Sequence, residues 1–212
     1  MKNKSTLLRD AIALFLITLV SGLALSYVYE STKAPIEQQQ AEKKLEANQA
    51  VFTDASTFVI DDELMEIAKN TDLEAMNAEY KGVTIEEVSK AFDSYNEAIG
   101  YNITVKTTNS YKDYITMVIG YSKDKKINGI ELLTITETAG LGMKADTPDF
   151  INQYIDKKVE QFTVTKTGAT TEDQIDAISG ATITTKAVTY AINAGIAFLN
   201  ENASDLGGGQ NE

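Results

Sequence analysis

The pattern of apolar and polar positions divides the chain into a membrane-like start and a mixed domain. From Ala11 to Tyr29 nineteen residues pass without a charge, among them Leu14, Phe15, Leu16, Ile17, Leu19 and Val20. As an α-helix this run would be about 28 Å long, close to the hydrocarbon thickness of a bilayer. Tyr27 and Tyr29 fall where an interfacial aromatic belt would lie. Ser31 or Thr32 can then cap a following helix with Pro35 in its first turn, and 36–51, rich in Gln, Glu, Lys and Ala, reads as a solvated stalk. Residues 52–82 show little pattern beyond a helix over 72–79.

After Val83 the period changes to that of strands. Tyr101, Ile103 and Val105 alternate with Asn102, Thr104 and Lys106, the mark of a half-buried strand over 101–107. Further strands are expected at 114–121 and 130–136 around a charged turn at 123–128, giving an antiparallel meander. Thr147-Pro148 opens a helix expected to reach Lys158, and 161–166 is another strand. Ala187, Val188, Ala191, Ile192, Gly195, Ile196 and Leu199 recur at helical spacing, so a final helix starts at 182–185 and ends near Asn200. Gly207-Gly208-Gly209 marks 204–212 as a flexible tail. The class is α+β, with a mostly antiparallel sheet behind a single N-terminal transmembrane helix.

Charge sets an orientation. Lys2, Lys4 and Arg9 precede the apolar run and acidic residues soon come after it, so the positive-inside rule puts 1–10 in the cytoplasm, 11–29 across the membrane and the rest outside. A cleaved signal peptide shares the basic start but has a shorter apolar core. The chain is acidic, with 31 Asp and Glu against 19 Lys and Arg, which suits solubility and opposes nucleic-acid binding. With no Cys, His or Trp, it can build no disulfide, Cys-ligated iron–sulfur cluster, His-ligated haem or His-based triad.

Two loops carry candidate chemistry. Asp176-Ala177-Ile178-Ser179-Gly180-Ala181-Thr182-Ile183-Thr184-Thr185 gathers hydroxyls and small residues at the start of the last helix. A helix N-terminus offers free amides and partial positive charge, which suit a phosphate, and Gly180 and Ala181 let a bulky ligand approach. Taken alone, the same residues read more readily as ordinary caps at Ser179 and Thr184. Glu137-Thr138-Ala139-Gly140-Leu141-Gly142 comes after a strand and can turn sharply, but it lacks the third glycine of a dinucleotide fingerprint.

Together the two loops resemble the FMN-binding domain family, specifically the G subunit of the Rnf ion-translocating electron-transport complex. The chain is also similar to the C subunit of the sodium-translocating NADH:quinone reductase. The family's flavinylation motif is Asp, two variable residues, Ser or Thr, Gly, Ala, Thr, matched by Asp176, Ser179, Gly180, Ala181 and Thr182. The resemblance implies FMN joined to Thr182 through a phosphoester by a dedicated flavin transferase, with Thr184 and Thr185 beside it. A Glu-Thr-Pro-Gly-Leu-Gly loop lines the flavin in the family; Glu137, Thr138, Gly140, Leu141 and Gly142 match it, Ala139 replaces its proline, and Lys144 is a further candidate contact. Asn109 to Asp113 stands where the family has a Gly-Tyr-Gly-like turn, so contacts there do not carry over. On this resemblance 30–51 is the stalk and 52–203 the FMN-binding domain. It would be an electron-transfer subunit of a membrane-bound ferredoxin:NAD oxidoreductase coupled to sodium or proton translocation, not catalytic alone, and assembled with other subunits. The alternatives are the equivalent quinone-reductase subunit, a stand-alone FMN protein, and a flavin-free binding or assembly module.

Overall fold

The computed structural model describes residues 4–203; the tail expected at 204–212 lies outside them. It comprises two units, residues 1–43 and a compact unit that begins at Lys44. Helix α1 runs unbroken from Lys4 to Val51 with Pro35 inside it. The cap expected at Ser31 or Thr32 does not form, as α1 continues past Thr32. Thr32 Oγ1 instead donates to the carbonyls of Val28 (2.9 Å) and Tyr29 (3.3 Å), one turn back on the same helix. Among the described residues this helix alone is long and apolar enough to cross a membrane, and Leu14, Phe15, Ile17 and Leu23 stand exposed along it.

The compact unit is built on a five-stranded antiparallel meander of β1 (Thr57–Ile60), β2 (Val83–Phe92), β3 (Ala98–Thr107), β4 (Ile115–Ser122) and β5 (Ile127–Thr134), neighbours in that order. Between β1 and β2 lie α2 (Asp62–Asn70) and α3 (Leu73–Met76), each started by an aspartate: Asp61 accepts from Leu64 N, and Asp72 from the amides of Glu74 and Ala75. The helix expected over 72–79 is thus α3 and then a 3-10 turn at 78–80. The helix expected to reach Lys158 is only α4 (Pro148–Ile151). The segment after α4 is held by aromatic packing instead. Tyr154 meets Phe150 and Phe162 edge to face, with ring centres 5.5 and 5.1 Å apart. Two short strands, β6 (Thr163–Thr165) and β7 (Gln174–Asp176), pair in parallel ahead of α5 (Thr182–Asn202).

One sheet face carries Tyr101, Ile103, Val105, Met117 and Ile119 against Val188, Ile192, Ile196 and Leu199 of α5. Gly195 is the close approach: a Cβ there would sit 3.3 Å from Val105 and 3.4 Å from Ile103 and Ile119. Alternation along β3 predicts a solvated opposite face, yet Asn102 and Thr104 are both 2% exposed. The end of α1 covers it. Ala47, Val51 and Phe52 pack on Ala91 and Val118, Asn102 Nδ2 donates to Asn48 O (3.3 Å) and Oδ1 (3.1 Å), and Asn128 Nδ2 donates to Val51 O (2.6 Å). Glycines make the seat, since a Cβ on Gly129 would come within 2.6 Å of Val51 Cα and one on Gly120 within 2.7 Å of Val51 O. Gly129→Ala should therefore lower the unfolding free energy by about 1–3 kcal/mol, read from denaturant titration, because the obstacle is backbone.

Candidate functional site

The Glu137 loop leaves β5 and folds back on itself. Thr138 O accepts from the amides of both Leu141 (3.1 Å) and Met143 (3.2 Å), and a 3-10 turn runs over 142–146. Gly140 makes the bend at φ +76°, a region open to glycine at little cost. Gly142 is needed for a different reason. A Cβ on it would lie 2.7 Å from Glu137 Cβ, 2.8 Å from Glu137 Oε2 and 2.8 Å from Thr184 Oγ1. The two motif loops therefore meet at Gly142. Glu137 is 7% exposed, and its Oε1 accepts from Tyr111 N at 2.7 Å.

The second loop is set by backbone pairing and one hydroxyl. Strand β7 ends at Asp176, whose amide donates to Gln153 Oε1 (2.7 Å), and Ala177 N donates to Thr165 O (2.8 Å). Thr185 Oγ1 then accepts from Ile178 N and donates to Ala181 O, both at 3.0 Å, closing the turn onto the helix. Gly180 sits at φ +77°. Neither Ser179 nor Thr184 caps α5: the residue in the cap position is Ala181, and no side chain hydrogen-bonds to the first turn there. The helix start keeps amides and partial positive charge available for a ligand. Behind it Thr189 Oγ1 donates to Thr185 O (2.8 Å). That proton being committed, Tyr154 donates to Thr189 (2.8 Å), and burial pushes the Tyr154 phenol well above its ordinary range, which keeps it a donor.

A cavity of about 580 Å³ opens where the loops meet, lined by Glu137, Thr138, Leu141 and Gly142 from one and Gly180 to Thr184 from the other. Tyr111, from the 109–113 turn whose departure from the family pattern gave no expected contact, completes the lining. Asp176, Ser179, Gly140, Lys144 and Thr185 lie outside the lining. Lys144 lies in the 3-10 turn, and Thr185 is buried behind the site with its hydroxyl engaged by the backbone. Tyr111 leaves no side-chain signal, because what ties it to the site is its amide, 26 residues from Glu137.

These residues fit a flavin mononucleotide. The volume lies within the roughly 300–1,000 Å³ of small-molecule sites. An uncapped helix start suits the phosphate. Leu141 and Ile183, exposed at the rim at 42% and 55%, offer apolar surface to a ring system. Among the described residues no His, Cys, Asp or Glu cluster could hold a metal ion.

Comparison with known proteins agrees with that fit. The FMN-binding domain family matches residues 110–197, and the RnfG N-terminal region matches residues 1–51. The G subunit of the Na(+)-translocating ferredoxin:NAD(+) oxidoreductase complex of Acetobacterium woodii is 31% identical over 86% of this chain and 86% of its own length. The G subunit of an ion-translocating oxidoreductase complex from Methanosarcina acetivorans is 27% identical over 94% of this chain and 98% of its own. The G subunit of the proton-translocating ferredoxin:NAD(+) oxidoreductase complex of Clostridium ljungdahlii is 27% identical over 84% of this chain and 83% of its own. The fold is shared with the crystal structure of the C subunit of the Na(+)-translocating NADH-quinone reductase of Parabacteroides distasonis. The two superpose with a TM-score of 0.54 at 18% identity, over 82% of this chain and 96% of that one.

Proposed function

The chain belongs to the G-subunit family of Rnf-type ion-translocating oxidoreductase complexes, and from that premise we propose that it relays electrons on an FMN covalently attached to Thr182. The observation that carries this reading is the meeting of two motif loops, through Gly142 and Thr184, around a cavity at the uncapped start of α5. Bound FMN would supply the one- and two-electron chemistry. The chain's own residues hold and shape the site. Thr182 offers the hydroxyl that becomes the phosphoester, and the amides of the first helical turn balance the charge the phosphate keeps, by about 0.3–1 kcal/mol. Gly180 and Gly142 let the loops close without side-chain obstruction. Glu137 is held against Gly142 and fixes the neighbouring 109–113 loop through Tyr111 N.

In this reading α1 spans the membrane with its basic N-terminus in the cytoplasm, and the flavin domain lies on the outer face. Because the chain has no cysteine, a single one placed at the exposed Tyr95 reports sidedness by labelling of intact cells, and protection from an impermeant reagent would contradict the orientation. The partners are the other subunits of an Rnf-type complex and, during maturation, a flavin transferase. Relatives named for sodium and for protons are both similar to this chain, so the reading covers either coupling ion. The functional test is to express the full chain with and without a flavin transferase and inspect the denatured protein band for flavin fluorescence. A band that fluoresces only with the transferase supports covalent FMN. A dark band beside an active transferase sinks the reading and leaves a flavin-free assembly module.

A further inference from the structure

Resting on that flavin reading, we propose that Tyr111 forms the aromatic wall of the ring site and that the buried Glu137 carboxylate is the group that positions it. Among the described cavity-lining residues Tyr111 is the one aromatic side chain, the rest being Glu, Thr, Gly, Ala, Leu and Ile. It is 67% exposed and makes no ring contact with another described residue, so the fold does not use it as core. Its backbone is nonetheless fixed. The loop between β3 and β4 is pinned at its start by Thr108 N donating to Gly82 O (3.0 Å) and by Asn109 Nδ2 donating to Lys81 O. Ser110 Oγ bridges to Asp113 O across the turn. At its centre the Tyr111 amide donates to Glu137 Oε1 at 2.7 Å, and Glu137 is only 7% exposed.

Burying a carboxylate is costly unless it is hydrogen-bonded, and a charge-assisted bond to an amide is among the stronger ones available. The bond therefore fixes where Tyr111 stands, at the edge of a cavity whose lining also carries Leu141 and Ile183. A phenol face against a planar heteroaromatic ring is a favourable pairing that no aliphatic lining residue offers. It also has an optical consequence. A phenol in contact with an excited flavin donates one electron to it and takes that electron back, so emission is lost with no net change in either group. The chain contains no tryptophan, and Tyr111 is the one readily oxidised aromatic side chain in the described lining.

The test uses the full chain loaded by the transferase. Tyr111→Phe keeps the ring and removes the easily oxidised hydroxyl. It should raise native flavin emission several-fold per flavin, with flavin content read from the denatured band. Tyr95→Phe, at an exposed tyrosine outside the cavity lining, should change neither. Glu137→Ala should also raise native emission by freeing the loop, and Glu137→Gln, which keeps an acceptor oxygen, should restore the quenching. Equal native emission from Tyr111→Phe and the parent at equal loading overturns the proposal. An unchanged Glu137→Ala emission overturns the positioning role. Flavin absent from every protein overturns the underlying reading, and the proposal with it.

Discussion

Replacing Thr182 with valine will leave the chain folded and remove all covalent flavin. The exchange puts a methyl where a hydroxyl was, at a half-buried position in the first turn of α5, so shape and β-branching are kept. The stability cost should stay within about 1 kcal/mol. The phosphoester needs an oxygen at that atom, however, and valine has none. Fluorescence of the denatured band should fall to background even with an active transferase present. Serine at the same position keeps the oxygen and should recover a fluorescent band. Flavin retained by the valine variant would move the attachment to another hydroxyl of the loop. Thr184 is the nearest competitor in sequence, but it is 1% exposed and pressed against Gly142.

The largest stability loss should come from Asn193→Ala. Asn193 is fully buried in α5, with Oδ1 accepting from Phe162 N and Nδ2 donating to Phe162 O, each at 2.8 Å. This one side chain replaces the strand partner that the segment before β6 lacks. It also holds the Phe150–Tyr154–Phe162 aromatic series against the helix. Alanine would leave a buried N–H and a buried C=O unpaired, at about 1–3 kcal/mol each, so the expected loss is about 2–6 kcal/mol. Against a typical total of about 5–15 kcal/mol this is a large fraction. Denaturant unfolding should show a lower midpoint with little change in slope. A loss under about 0.5 kcal/mol would mean that Phe162 finds other partners.

Strands β3 to β5 and helix α5 are legible in the sequence because each presents one apolar face with a clean period to a large core. Strands β3 and β5 each begin three residues before the expected 101 and 130, where pairing with a neighbour outlasts the apolar alternation, and β5 ends two residues short of the expected 136. The elements that escape have other causes. Strand β7 is three residues long and exists only by parallel pairing, Val164 opposite Ile175, which no local pattern announces. Helix α2 leaves a readable trace in the Asp61 cap and in Leu64, Ile67 and Ala68, yet so short an amphipathic stretch is a weak signal beside its acidic neighbours. The polar stripe of β3 looks solvated because its cover is the end of a helix 54 residues upstream, reached through Asn48. Both motif loops can be seen as loops, and the resemblance to a flavin family pairs them. Their physical meeting at Gly142, and the recruitment of Tyr111, depend on contacts between side chain and backbone that composition does not encode.

Whether FMN is esterified to Thr182 is decided by peptide mass mapping after proteolysis. Chain matured with the flavin transferase is denatured, digested and analysed for the peptide spanning Asp176 to Lys186. Covalent attachment at Thr182 gives this peptide the added mass of FMN less one water, with fragmentation placing it on that residue. An unmodified peptide from fully matured protein, or FMN on any other residue, would contradict it.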